Sequence, residues 1–103
     1  MEPYFFEGKY ATTHFMQAMD NTNDYQNSIR LSIEKFEGKL FRCFYTTIGN
    51  GLIGFAEFPS FLLASAWNAY SQGQDGILSF TITRLLDETE LRQVGLMVKI
   101  KQV

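Results

Sequence analysis

Few side chains in this 103-residue chain have types suited to chemistry. His14 is the single histidine, and a histidine serves as acid, base or metal ligand near neutral pH. No cysteine or carboxylate stands at ligand spacing from it. Asp20 and Asp24 do not complete a set, so no metal site is expected. The plainer role for His14 is a surface histidine in a loop or short helix. Cys43, the single cysteine, lies between Arg42 and Phe44 in a strand-like run. Alternation sends Arg42 to the face opposite Cys43, so the guanidinium does not lower the thiol's pKa and an inert, buried cysteine is expected. Arg42 and Arg84 have the fork geometry to bind a ligand carboxylate, although ion pairs with Glu7 or Glu57 account for them as well. Tyr45, Trp67, Tyr70 and Tyr10 are amphipathic aromatics that can line a pocket or simply pack a core and an interface. The candidate ligand-pocket residues are therefore His14, Arg42, Tyr45, Trp67 and Tyr70. The catalytic residues are unassigned and no cofactor is implied. Gly49, Gly51 and Gly54 form no phosphate loop, because no Gly-Lys-Ser/Thr follows them.

Composition narrows the partners. A net charge of -2 argues against nucleic acid or an anionic membrane, both of which call for a clustered basic surface, and Lys99 and Lys101 are too few to make one. The stretch Met1–Glu7 has no basic region and no long apolar run, so no signal peptide is expected. No apolar stretch approaches the roughly 20 residues of a membrane span. The lone thiol suggests reducing surroundings and a cytoplasmic location. Aromatics make up 16% of the residues, ten of them Phe, which is more than one small core absorbs, so a shared interface is expected.

The elements that must position these residues form a single domain over 1–103. Pro3–Tyr10 reads as a strand. Ala11–Met19 is less regular, with one short helical turn led by Thr12 or Thr13 that gathers Phe15, Met16 and Met19. A helix is expected over Asp24–Glu37, capped by Asn23 with Gln26 at the capping-box position. Its apolar face is Tyr25, Ile29, Ile33 and Phe36, Arg30 and Glu34 pair outside, and Gly38 stops it. Strands Lys39–Thr47 and Leu52–Phe58 flank the Gly49-Asn50-Gly51 turn as a hairpin. Ser60 caps a helix over Phe61–Ser71 with Leu62, Ala66 and Ala69 on one stripe. A fourth strand covers Ile77–Leu86, with Leu78, Phe80 and Ile82 facing one way. Asp87 and Glu90 form a capping box, and the tail 87–103 reads as helix or as strand.

The order is the βαββαβ series of an α+β, ferredoxin-like fold, a four-stranded antiparallel sheet with helices on one face. Alternation puts Tyr4 and Phe6 opposite Phe5, and Leu40 and Phe44 opposite Phe41, Cys43 and Tyr45. Leu52, Ala56 and Phe58 stand opposite Ile53 and Phe55. Both faces are thus apolar, and two sheets packed face to face as a homodimer would cover the free one.

Several segments resemble the GYD-domain family of the dimeric α/β-barrel superfamily. They are Tyr4–Tyr10, Ile33–Lys39, Phe44–Gly49, Ala56–Pro59 and Thr83–Glu90, so the likeness spans about Tyr4 to Glu90. At the family's Gly-Tyr-Asp-like signature this chain has Gly49-Asn50-Gly51-Leu52, without the Tyr or Asp. The resemblance implies a ferredoxin-like monomer paired through its sheets, and no particular reaction. The functional expectation is a small cytoplasmic homo-oligomer that binds a small apolar or aromatic molecule between sheet and helices. Members of the wider superfamily suggest an alternative, a cofactor-independent monooxygenase or isomerase acting on a small aromatic substrate. A structural or interaction module without ligand is the third reading.

Overall fold

The computed structural model describes residues 1–102. Strand β1 (Glu2–Tyr10) is followed by two helices, α1 (Thr12–Asp20) and α2 (Thr22–Lys35). The hairpin β2 (Lys39–Thr46) and β3 (Gly51–Phe58) comes next, then α3 (Phe61–Ser71), β4 (Ile77–Arg84) and α4 (Glu88–Gln102). The strands form one sheet in the order β2-β3-β1-β4, every neighbouring pair antiparallel. This is an α+β, ferredoxin-like fold.

The first crossover holds two helices. Ala11–Met19 extends beyond one turn into all of α1, which buries Phe15 and Ala18 and leaves Met16 and Met19 exposed. The next helix begins at Thr22, so Asn23 lies inside it and caps nothing. Its apolar face is as expected: Ile29 and Ile33 are buried, Tyr25 and Phe36 pack beside them, and Arg30 pairs with Glu34 at 3.1 Å. The helix ends in a Schellman motif, with Gly38 N–H donating to the Ile33 carbonyl and Glu37 N–H to that of Glu34, both at 3.0 Å. The left-handed position is Glu37 (φ 64°). Gly38 is needed for space instead, because a Cβ there would meet the Phe58 ring at 2.6 Å.

Two β-bulges change the expected faces. In β2, Leu40 pairs with Ala56 and Arg42 with Phe55, so Phe41 is an extra residue. Parity flips there. Leu40 therefore faces the helices together with Cys43 and Tyr45, while Phe41, Arg42 and Phe44 face away. In β4 the register shifts opposite Lys9 and Tyr10, which turns Ile77 inward and leaves Leu78 70% exposed. The strands β1 and β3 keep strict alternation, with Tyr4, Phe6, Leu52, Ala56 and Phe58 fully buried. The outer face carries Phe5, Phe41, Phe44, Ile53 and Phe55 toward β2, and Ser79, Thr81 and Thr83 on β4.

The Ser60 side chain caps α3 by accepting from Leu63 N–H. The buried stripe of α3 is Ala64, Trp67 and Ser71, while Leu62 is 81% exposed. The expected stripe of Leu62, Ala66 and Ala69 thus lies on the wrong side, because Trp67 is the residue the sheet receives. Its ring meets Phe6 at 5.2 Å, Phe80 at 4.8 Å and Phe58 at 5.3 Å. Phe6 in turn covers Gly54 across the β1–β3 pair, and Phe80 covers Gly8 across the β1–β4 pair. The Asp87–Glu90 capping box forms as expected, and the tail is helical through Gln102.

Gly54→Ala would drive a methyl group into the Phe6 ring, so it should lower stability by about 1–3 kcal/mol, read from the urea midpoint. Glu37→Gly removes a side chain from a left-handed position and should raise stability by about 1 kcal/mol in the same measurement.

Candidate functional site

The five candidate residues do not converge. Trp67 is fully buried at the centre of the space between helices and sheet. Its indole N–H donates to Ser32 Oγ at 3.0 Å, and that hydroxyl donates to the Ile29 carbonyl at 2.7 Å. The central space is therefore closed by packing. Arg42 lies on the outer face with its guanidinium 4.9 Å from the Phe44 ring centre. Tyr70 stands on the rim of a groove of about 280 Å³ between α2 and α3, where its hydroxyl accepts from Lys35 Nζ at 3.3 Å. His14 is half-buried on α1, and its Nδ1 is buried without a hydrogen-bond partner. The imidazole packs against Gly76, which has φ 81° and no room for a Cβ. Among the described residues, no three His, Cys, Asp or Glu side chains cluster to hold a metal ion.

Tyr45 alone reaches an apolar opening. The bulge at Phe41 turns it toward the helices, where β2 passes under α1 and the start of α2. A pocket of about 250 Å³ lies there, lined by Phe15, Ala18, Met19, Thr22, Tyr45 and Thr47. Its exposed lining is almost entirely carbon. The Tyr45 hydroxyl is nonetheless buried with no hydrogen-bond partner. An unpaired buried hydroxyl costs about 1–3 kcal/mol, so it is a feature that asks for a reason. The sequence gathers Phe15 and Met19 with Met16 on one short turn, but it does not show Ala18 beside them or their meeting with Tyr45. The i, i+3, i+4 spacing of Phe15, Ala18 and Met19 was the available signal, obscured because Ala18 is small and Met16 mimics the pattern.

Below the pocket, Tyr10 meets Phe15 at 6.3 Å and Tyr25 at 5.8 Å, and Cys43 lies beside Tyr45 on the same face. Burial pushes the Tyr45 phenol up to about 12, with Cys43 and Tyr25 adding to the effect. Burial also pushes the Cys43 thiol up to about 12. Tyr10 is raised for the same reason, reinforced by Tyr45, Cys43, Asp75 and Tyr25. Each group stays neutral at physiological pH. Tyr45 is thus a hydrogen-bond donor, and Cys43 is not a thiolate nucleophile.

These shifts fix a pH dependence. The unfolded chain ionises its thiol and phenols near 9 and 10, while the folded chain holds Cys43 and Tyr45 protonated to about 12. Their contribution is complete below pH 9 and is lost as pH rises through 12. The urea midpoint should fall steadily across that window, and Tyr45→Phe with Cys43→Ala should make the fall shallower, leaving the share that Tyr4 and Tyr10 carry.

A further groove of about 400 Å³ crosses the outer face near Glu7, Lys9, Ile53 and Thr81. No helix is long and apolar enough to cross a membrane among the described residues. No protein-family model matches this chain, and no curated protein matches it.

Proposed function

We propose that this chain is a GYD-type homodimer that binds a small apolar or aromatic molecule carrying one hydrogen-bond acceptor, in the pocket at Tyr45. One observation carries the reading: Tyr45, whose protonated hydroxyl is buried and unpaired, lines an apolar space of about 250 Å³. A ligand oxygen there would satisfy the donor, and the volume suits a single substituted ring. The wall offers no second ionisable side chain beside Tyr45, which favours binding over acid–base chemistry as a monooxygenase or isomerase. The half-exposed outer-face residues Phe41, Phe44 and Phe55 support pairing through the sheets. A reducing, cytoplasmic setting fits the single unpaired Cys43.

Acetophenone and α-methylstyrene, nearly equal in shape, separate the donor from the cavity. Acetophenone should bind the wild-type chain about tenfold more tightly, the equivalent of one hydrogen bond near 1.4 kcal/mol. The difference should vanish in Tyr45→Phe, with both ligands followed by NMR shifts of the Ala18 and Met19 methyls. Equal binding of the two by the wild type would refute the donor's role. Failure of both, with Ala18→Phe raising stability, would mark the pocket as a packing defect and favour a module without ligand. Pairing has a separate readout, since light scattering should give twice the chain mass at micromolar concentration.

A further inference from the structure

Helix α4 begins firmly and then buries nothing. Its first turn is held by the reciprocal capping box, Glu90 N–H to Asp87 Oδ1 at 2.8 Å and Asp87 N–H to Glu90 Oε1 at 3.2 Å. Arg84, at the end of β4, bridges to Glu90 at 2.8 Å and lies 3.6 Å from Glu2. Only Leu85–Asp87 connects β4 to α4, a reach of about 10 Å. The Arg84–Glu90 pair ties the first turn of the helix to the end of β4. Beyond that anchor it stands clear, and the molecule measures 56 × 28 × 20 Å. None of its described residues is buried, and Leu91, Leu96, Met97 and Ile100 are 60–70% exposed.

A 15-residue helix without tertiary packing is marginal in water, because most helical stability in proteins comes from burying an apolar face. This one has such a face. Leu91, Val94 and Val98 recur at i, i+3 and i+7, and Gly95 adjoins them. Glycine is among the poorest helix formers. No heavy atom lies within 4 Å of where its Cβ would be, so nothing in the chain itself explains the residue. On a docking stripe, a missing side chain admits close approach by a facing backbone.

The areas identify the occupant. The outer-face residues Phe5, Phe41, Phe44, Ile53 and Phe55 expose on the order of 350 Å² of apolar surface. That is an ordinary monomer patch, and it falls short of about 500 Å², the apolar share of the roughly 800 Å² that each partner of a stable dimer buries. The Leu91–Val94–Val98 stripe, 62%, 42% and 50% exposed, adds on the order of 250 Å² of apolar surface, which closes the gap. A second copy supplies both surfaces at once. A twofold axis running along the strands through the sheet centre sets β4 of one copy over β2 of the other, so α4 starts beside the partner's exposed β2 edge.

We propose that α4 is an exchanged arm, laying its Leu91–Val94–Val98 stripe on the outer face of a second copy at the β2 edge, where Phe41 and Phe44 are 49% and 42% exposed. The arm rests on the homodimer reading above and names what completes that interface.

Sedimentation and hydrogen exchange test the arm on the full chain. In the wild-type dimer the amides from Leu91 onward should be protected, and dilution to monomer should release them while the sheet amides hold. Leu91→Glu with Val98→Glu should weaken dimerisation about 100-fold. Gly95→Leu should weaken it as well, without adding charge. Both variants should keep the wild-type urea midpoint of the monomer, since α4 packs on none of the core. A dimer of unchanged affinity in both variants, or one whose α4 amides exchange at free-peptide rates, overturns the arm and leaves sheet pairing standing. A wild-type chain that is monomeric at micromolar concentration removes the pairing and the arm together.

Discussion

The fold depends on one wedge, the Trp67 indole between sheet and helices. It meets three phenylalanine rings within 5.3 Å, two of them edge-on. Each such contact adds about 0.5–1.5 kcal/mol beyond the area it buries. The strands make room for those rings by placing Gly54 beneath Phe6 and Gly8 beneath Phe80. The Ser32 hydroxyl fixes the indole's rotation from α2. One side chain thereby sets the rotation of α3, its distance from α2 and the packing of three strands. It also closes the centre, so the open spaces lie at the margins, one of them lined by the small Ala18 and Tyr45.

Legibility in the sequence followed uninterrupted periodicity. Strands β1 and β3 alternate without a break, so their buried residues could be read directly from period two. The bulges at Phe41 and Leu78 are a different matter. Leu40-Phe41-Arg42-Cys43-Phe44-Tyr45 is apolar in both parities, so an inserted residue leaves no compositional trace and only the partner strand reveals it. Helix α3 misled for a related reason. With Phe61, Leu62, Leu63, Ala64, Ala66 and Trp67 in its first seven residues, several stripes look equally apolar, and volume rather than pattern decides which one docks. The caps were readable wherever side chain and backbone meet locally, as at Ser60 and Asp87–Glu90.

The candidate site was legible by one residue in five. Tyr45 could be singled out as an amphipathic aromatic on a strand. Its neighbours come from α1, some thirty positions away, and no local rule joins the two. Arg42 was excluded from that site by its face, a consequence of the same bulge that turned Tyr45 inward. His14 and Tyr70 sit at separate margins of the helical layer, so polar character alone did not bring them together.

The distribution of phenylalanine bears on what the isolated chain leaves unfinished. Phe6, Phe15, Phe58 and Phe80 are buried and Phe36 packs beside them, while Phe5, Phe41, Phe44, Phe55 and Phe61 remain partly or largely open. Cationic side chains shield some of that surface, Arg42 over Phe44 and Lys39 over Phe41. Such contacts contribute about 0.5–1 kcal/mol at exposed sites, less than the 1.5–3 kcal/mol that full burial of such a ring provides. The shielding is therefore a holding arrangement for the single chain. It leaves most of the burial energy of that face unrealised. The hydroxyl-bearing half on β4 confines that energy to the β2 side.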